Sequence, residues 1–191
     1  MSLDDTLLHA LNGLVGRWPG LDAVMSLFGQ QQLLIWPSGG AFAAWVLWRW
    51  REALIGMPIL LAVFIVGDAI GAQIKLLIAR PRPCRVFTDL HLIGACGKTY
   101  SFPSNHAMNT AAAAAFLQVL YPRSGWFTWP LVAAIGIARV YGGAHYPTDV
   151  IGGWLIGAAF GAGVAWLLLR WKGFGRNVSG GGQLPEARQD G

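Results

Sequence analysis

Apolar residues run through this chain in long blocks rather than alternating with polar ones. Five blocks approach the roughly 20 residues that an α-helix needs to cross a hydrocarbon layer about 30 Å thick. They are Gln32–Trp50, Ala53–Ala79, Ser104–Tyr121, Trp126–Tyr141 and Pro147–Trp171, the fourth being short and dependent on its flanks. Ahead of them, Leu3, Leu7, Leu8, Leu11, Leu14 and Val15 recur at helical spacing among Asp4, Asp5, His9 and Asn12. That pattern predicts a helix with one apolar face, lying in the membrane interface rather than spanning it. Trp18-Pro19-Gly20 interrupts it before a second apolar turn. The segment lacks the basic start and long apolar centre of a secretory signal. Beyond Trp171 the chain turns to Gly, Ser, Gln and charge, which predicts a disordered tail over 173–191. The expected fold is an all-α membrane protein, a bundle of about five transmembrane helices (31–172) preceded by an N-terminal interfacial helix (1–30). Residues 1–172 would form a single domain.

Composition narrows the class. Hydrophobic residues make up 54% of the chain and charged residues 12%, about half the charged fraction of a soluble domain. The net charge of +5 comes from residues that punctuate apolar runs, whereas a nucleic-acid partner calls for basic residues clustered on a soluble face. Trp36, Trp45, Trp48, Trp50, Trp126, Trp129 and Trp171 fall near the expected span ends, as an aromatic belt does. Cys84 and Cys96 have no zinc-site spacing. They flank a short loop, where either a disulfide or two free thiols would fit.

Five crossings put the Arg80–Pro103 and Tyr141–Tyr146 segments on one membrane face. The basic residues divide evenly. Arg49, Arg51, Arg123, Arg170, Lys172, Arg176 and Arg188 lie on one side, and Arg17, Lys75, Arg80, Arg82, Arg85, Lys98 and Arg139 on the other. Setting aside Lys75, Arg82 and Arg139, which have chemistry to do, the Trp48–Glu52 side becomes cytoplasmic. The Arg80–Pro103 loop then faces outside.

Three clusters put charge where a bilayer makes it costly. The first runs from Lys75 to Arg80-Pro81-Arg82-Pro83. Its basic residues could be interfacial anchors that snorkel to the headgroups. Alternatively the prolines end the helix before Arg82 and let the chain bend Lys75 and Arg82 toward one anion. The second is Ser101-Phe102-Pro103-Ser104-Asn105-His106. Ser104 suits a helix N-cap, and Asn105 and His106 follow in a first turn whose free N–H groups favour an anion. Capping alone would explain Ser104, but not His106. The third is Arg139-Val-Tyr-Gly-Gly-Ala-His145-Tyr-Pro-Thr-Asp149. Pro147 suits the first turn of the last span, with His145 just outside it and Asp149 just inside. A carboxylate there can accept one imidazole N–H, fixing the tautomer and leaving the other nitrogen as a nucleophile. Asp68, within the second span, reads as an interhelical hydrogen-bond partner.

Two histidines, several anion-binding side chains and one carboxylate suit phosphoryl transfer without a metal, where catalysis is mostly positioning and charge stabilisation. No Walker loop, His-Glu-x-x-His or Gly-x-Ser-x-Gly motif occurs.

The clusters resemble the signature of the type-2 phosphatidic acid phosphatase superfamily: Lys-x6-Arg-Pro, then Pro-Ser-Gly-His, then Ser-Arg-x5-His-x3-Asp. Here stand Lys75 with Arg82-Pro83, then Pro103-Ser104-Asn105-His106, then Ala138-Arg139 with His145 and Asp149. The likeness covers roughly Ala53 to Trp171, and the N-terminal helix is similar to that of bacterial undecaprenyl pyrophosphate phosphatases of the same superfamily. Asn105 replaces the usual Gly and Ala138 the usual Ser, which removes one hydroxyl expected near phosphate.

The resemblance implies that His145 attacks phosphorus, Asp149 orients His145, and His106 protonates the leaving oxygen and later activates water. Lys75, Arg82, Ser104, Arg139 and the Asn105 N–H would bind the phosphate oxygens, with no cofactor. It also implies a bacterial inner-membrane lipid phosphatase whose site faces the periplasm or outside. Undecaprenyl diphosphate is the first substrate choice, with phosphatidylglycerol phosphate, phosphatidic acid and lipid A phosphates as alternatives. Other functional classes are a vanadate-dependent haloperoxidase and a non-catalytic lipid-binding protein. Oligomeric state is not legible.

Overall fold

The computed structural model describes residues 2–29, 35–97 and 100–171, and its regular elements are helices. In chain order these are α1 (Leu3–Asn12), α2 (Pro19–Gly29), α3 (Ile35–Ile78), the single turn α4 (Pro83–Val86), α5 (Asn105–Leu120), α6 (Gly125–Tyr141) and α7 (Pro147–Arg170). A short 3₁₀ turn, Pro122–Ser124, joins α5 to α6. Among the described residues there is no strand. The expected tail, the first residues of the first span (Gln32 to Leu34) and Lys98 lie outside the described residues.

The single interfacial helix expected over 1–30 is in fact two helices. Ser2 and Asp5 cap α1 reciprocally, the Asp5 N–H donating to Ser2 Oγ at 3.2 Å and the Ser2 N–H to Asp5 Oδ2 at 2.9 Å. The helix stops at Gly13, and Gly16 turns the chain at φ +80°, which a side chain resists. Pro19 then opens α2, where its missing N–H costs nothing. α1 docks on α6 and α7. It buries Leu8 against Val140, Tyr146 and Val150, while Leu3 and Leu7 stay exposed. Asn12, also buried, donates to the carbonyls of His91 and Tyr141 and accepts the His91 N–H, all at 2.8–2.9 Å.

The first two expected spans appear as one 44-residue helical run, broken at Arg49, whose φ −141° and ψ 50° are not helical. The break reverses the chain. A straight helix would place Trp45 and Gly56 about 16 Å apart along its axis, yet a Cβ on Gly56 would stand 2.4 Å from the Trp45 ring. Among the described residues, two stretches are long and apolar enough to cross a membrane, Arg49–Val86, which contains the second limb of α3, and Pro147–Arg170. α5 and α6, at 16 and 17 residues, are shorter.

α5 is the central helix. All its alanines except Ala113 are buried, with Ala107 and Ala111 at 0% exposure, and α7 lies against it through Gly153, Gly157 and Gly161. A Cβ at those positions would stand 2.7 Å from the Ser104 carbonyl oxygen, 2.0 Å from that of Met108 and 2.0 Å from that of Ala112. Small residues four apart on one face let two backbones approach this closely, and in a membrane such packing replaces the hydrophobic drive. The consequence for function is register: the start of α5 is tied to the start of α7 by the Ser104 N–H donating to the Asp149 carbonyl at 3.0 Å.

Candidate active site

The residues of the three clusters meet at one end of the bundle, where α3 ends and α5 and α7 begin. α3 closes with Ala79 in the left-handed region at φ +50°, a common way for a helix to stop. Pro81 and Pro83 keep the following backbone extended, so Arg82 (φ −74°, ψ 148°) points back toward the bundle instead of continuing the helix. Its guanidinium is buried and donates to the Ala144 carbonyl at 3.2 Å and to His145 Nε2 at 3.0 Å. Lys75, one turn before the end of α3, is also buried and donates to the carbonyls of Ser101 and Pro103. The bend expected from the prolines thus brings both cations inward.

Ser104 occupies the N-cap position of α5 but makes no capping bond with its side chain. The hydroxyl is fully buried with no hydrogen-bond partner in the protein. Capping therefore does not account for it. His106, in the first turn of α5, is partly buried within electrostatic reach of Arg139, Arg82, Asp68 and Lys75. The Asn105 side chain turns away toward α3, where its amide and that of Asn109 each donate to Asp68 Oδ1 at 2.9 Å. Asp68 is thus an interhelical partner. Arg139, in the last turn of α6, donates to the Gly29 carbonyl at the end of α2 at 2.9 Å, while its buried Nε has no partner.

His145 lies in the short loop between α6 and α7, 2% exposed, with Gly143 turning the chain before it at φ +71°. The tautomer follows from its neighbours. A guanidinium offers only donors, so the Nε2 facing Arg82 must carry the lone pair, and the proton sits on Nδ1, which faces Asp149 Oδ2 at 3.5 Å. That separation is long for a hydrogen bond. Burial pushes the imidazole down to about 3, the charges of Arg82 and Arg139 act in the same direction, and Asp149 opposes them. His145 is therefore neutral at pH 7, with its Nε2 lone pair on the Arg82 side.

Asp149 is the most heavily engaged group here. Its Oδ2 accepts the Ser101 hydroxyl and the Tyr146 N–H (2.9 Å), and its Oδ1 accepts from Arg80 at 2.8 Å. Pattern alone did not single out Ser101 or Arg80. Both stood inside the clusters without a role of their own, Ser101 three residues before Ser104 and Arg80 as a basic residue read as a possible interfacial anchor and counted for topology. Asp4 and Thr148, which complete the Arg80 cluster, are first-turn residues of α1 and α7 that carry no signal of their own in the sequence. The structure also pairs Cys84 with Cys96, their Cα atoms 6.0 Å apart, closing the loop between Arg82 and Ser101.

A buried neutral histidine backed by a carboxylate and ringed by arginine, lysine and an unpartnered serine hydroxyl, on an all-helical membrane scaffold, defines a class that sequence comparison identifies. The PAP2 superfamily model matches residues 56–173, and the chain belongs to that superfamily. An undecaprenyl-diphosphatase of Sulfolobus acidocaldarius is 29% identical over 140 residues, covering 73% of this chain and 65% of that one. The bacitracin transport permease protein BcrC of Bacillus licheniformis is 27% identical, with 63% of this chain and 61% of the relative aligned. The chain thus spans somewhat under two thirds of these relatives' length. A lipid A 4'-phosphatase of Bacteroides thetaiotaomicron is 30% identical, with 81% of this chain and 72% of the relative aligned. Among solved structures, Aquifex aeolicus LpxE superposes with a TM-score of 0.69 at 22% identity, covering 86% of this chain and 95% of that one. A transmembrane PAP2-type phosphatidylglycerolphosphate phosphatase from Bacillus subtilis superposes with a TM-score of 0.64 at 25% identity, covering 87% of each chain.

Proposed function

We propose that the protein is a membrane lipid phosphatase that releases phosphate from a lipid diphosphate, undecaprenyl diphosphate first among candidates, through a phosphohistidine. The observation that carries this reading is His145: buried, neutral, its Nε2 lone pair presented beside Arg82 and its Nδ1–H turned to Asp149. The substrate choice draws on the undecaprenyl-diphosphatase names among the relatives.

In the proposed cycle, arriving phosphate oxygens take the N–H groups of Arg82 and Arg139, the Lys75 ammonium, the Ser104 hydroxyl and the Asn105 backbone N–H. Engaging Arg82 frees the Nε2 lone pair, which attacks phosphorus. The bond to the leaving oxygen breaks as His106 donates its proton there, leaving lipid monophosphate and phosphohistidine. Charge on the equatorial oxygens is met by groups already in place, which is how such sites lower the barrier. Water then gives a proton to His106 and its oxygen attacks phosphorus. The P–N bond breaks, phosphate leaves and the Nε2 lone pair returns.

The membrane arrangement belongs to the same reading. Residues 1–172 form one domain, and five crossings follow if both limbs of α3, reversed at Arg49, span the bilayer together with α5, α6 and α7. Arg80 is held by Asp149 and Asp4, so it too leaves the topology count. Arg17, Arg85 and Lys98 then stand against seven basic residues on the other side, which puts the site on the outer face.

The test is phosphate release by the purified full-length protein in detergent, with EDTA present. The panel is undecaprenyl diphosphate, phosphatidylglycerol phosphate, phosphatidic acid and lipid A. Release from undecaprenyl diphosphate, lost by at least about 1,000-fold in His145→Ala, is expected. Preference for another lipid moves the substrate and keeps the chemistry. Undiminished release by His145→Ala overturns the mechanism.

A further inference from the structure

Arg80 binds no phosphate in this scheme, yet it is the residue through which the N-terminal helix reaches Asp149. Its two terminal nitrogens point to two different carboxylates. One donates to Asp149 Oδ1 at 2.8 Å and to Thr148 Oγ1 at 2.7 Å, and the other to Asp4 Oδ2 at 2.5 Å. The guanidinium plane also lies over the Tyr146 ring, 3.8 Å from its centroid. Asp4 in turn accepts the Thr148 N–H at 3.0 Å and the Thr148 hydroxyl at 2.5 Å, so a carboxylate from α1 serves the first turn of α7, 144 residues away in sequence.

We propose that Arg80, clamped between Asp4 and Asp149, is a positioning residue for the His145–Asp149 pair, and that docking of α1 through Asp4 is part of assembling the active geometry. The inference rests on the roles given above to His145 and Asp149.

Asp149 has no exposed surface, and a buried carboxylate needs a partner that both neutralises it and fixes its plane. Ser101 and the Tyr146 N–H hold Oδ2; Arg80 holds Oδ1. Without Arg80 the carboxylate is free to rotate about the Oδ2 side, and its 3.5 Å separation from His145 Nδ1 leaves no margin for that rotation. A planar fork can bridge two carboxylates at once, which a lysine ammonium on a flexible stem does poorly. Arg80 also differs from Arg139. Arg80 gives both terminal nitrogens to protein, whereas Arg139 gives one to the Gly29 carbonyl and keeps its buried Nε without a partner. α1 is pinned independently by Asn12 on the His91 and Tyr141 backbone, so loss of the Asp4 charge leaves the helix docked while removing its hold on Arg80.

The experiment uses full-length protein in detergent and the panel lipid that wild type cleaves, and compares Arg80→Gln, Arg80→Lys, Asp4→Asn, the Asp4→Asn/Arg80→Gln double variant and His145→Ala. Asp4→Asn keeps an amide oxygen to accept the Thr148 N–H. Arg80→Gln is expected to lower kcat about 30-fold with KM within about twofold, since misplacing a catalytic group by an ångström costs up to about 100-fold. Arg80→Lys should recover little of this. Asp4→Asn should lower kcat about fivefold, and the double variant should be no slower than Arg80→Gln, because Asp4 acts through Arg80. Wild-type kcat in Arg80→Gln, a rise in KM equal to the loss of kcat/KM, or full additivity of the two substitutions overturns the inference and leaves the phosphatase reading intact. If Arg80→Gln does not fold, Asp4→Asn decides, with unchanged kcat overturning the inference. Turnover by His145→Ala instead removes the reading on which the inference stands.

Discussion

The bundle carries a buried polar network at each end, and the two are built differently. At the end away from the site, Glu52 is 5% exposed and completely engaged. Its Oε1 accepts from Arg49 at 2.8 Å, its Oε2 accepts the Tyr121 hydroxyl, and Trp45 Nε1 donates to Tyr121 Oη at 3.0 Å. These contacts tie both limbs of α3 to the end of α5 and hold the reversal at Arg49. At the other end Asp149 is equally engaged, but around it the Ser104 hydroxyl and Arg139 Nε are buried without partners. A polar group left unpaired in a dry interior costs about 1–3 kcal/mol. Such groups also occur elsewhere, as at Ser124 Oγ before α6 and Trp154 Nε1 on α7, but at this end two of them adjoin buried cations and His145. The Glu52 network serves as a joint, and the Asp149 end is the proposed site.

The most severe way to break this contrast is to separate the helices that hold the open network. Gly157→Ala would drive a Cβ to 2.0 Å from the Met108 carbonyl oxygen, backbone against backbone, with no flexible side chain to yield. We expect a loss of about 3 kcal/mol and no phosphate release from what remains folded. Gly163→Ala, on the same helix with nothing within 4 Å of the added methyl, should be neutral or slightly stabilising. Thermal unfolding in detergent distinguishes them, and equal behaviour would refute close packing as the organiser of the site.

Next in size is the Cys84–Cys96 bridge, which belongs to the site end alone. Replacing both cysteines with serine should cost about 2–3 kcal/mol by relaxing the closed loop in the unfolded chain, and nonreducing mass analysis of wild type should show two hydrogens fewer than after reduction. A pair of free thiols in protein kept from reductant would remove this difference between the ends.

The finest test compares one hydroxyl from each network. Ser104→Ala removes a group with no partner in the protein, so stability should barely move while kcat/KM falls about 10- to 100-fold. Tyr121→Phe leaves Glu52 Oε2 and Trp45 Nε1 unsatisfied, so stability should drop about 1–3 kcal/mol with turnover per folded molecule unchanged. If the two substitutions moved the same observable, the distinction between joint and site would fail.

What could be read along the chain was whatever repeats locally. Apolar blocks mark helices because 3.6-residue geometry and the bilayer act on neighbouring residues, and the spacing within each cluster placed Lys75, Arg82, Ser104, His106, Arg139, His145 and Asp149 at helix ends. Two helix starts were visible too, since Ser104 as an N-cap position and Pro147 in a first turn follow local backbone chemistry. The interruption at Trp18-Pro19-Gly20 was visible, but its division of the N-terminal segment into two helices depended on Gly13 and Gly16 as well. The break between the first two spans was visible as the charged Arg49–Glu52 interval, though not that a single non-helical residue, Arg49, would make it inside one helical run.

Beyond that, tertiary structure decided the matter. Asp4 and Thr148 are 144 residues apart in sequence, and Asp4 and Arg80 are 76 apart. Nothing in either neighbourhood signals the other, because a carboxylate and a guanidinium recruit each other by position in space. The same holds for Ser104, a plausible cap by sequence whose hydroxyl the fold leaves open, and for the two cysteines, whose pairing depended on where the loop returns. Residue types and their helical spacing were set by local sterics and hydrophobic burial; which charge neutralises which, and which polar atom is left for a ligand, came only from packing α5 on α7 and laying α1 across their ends.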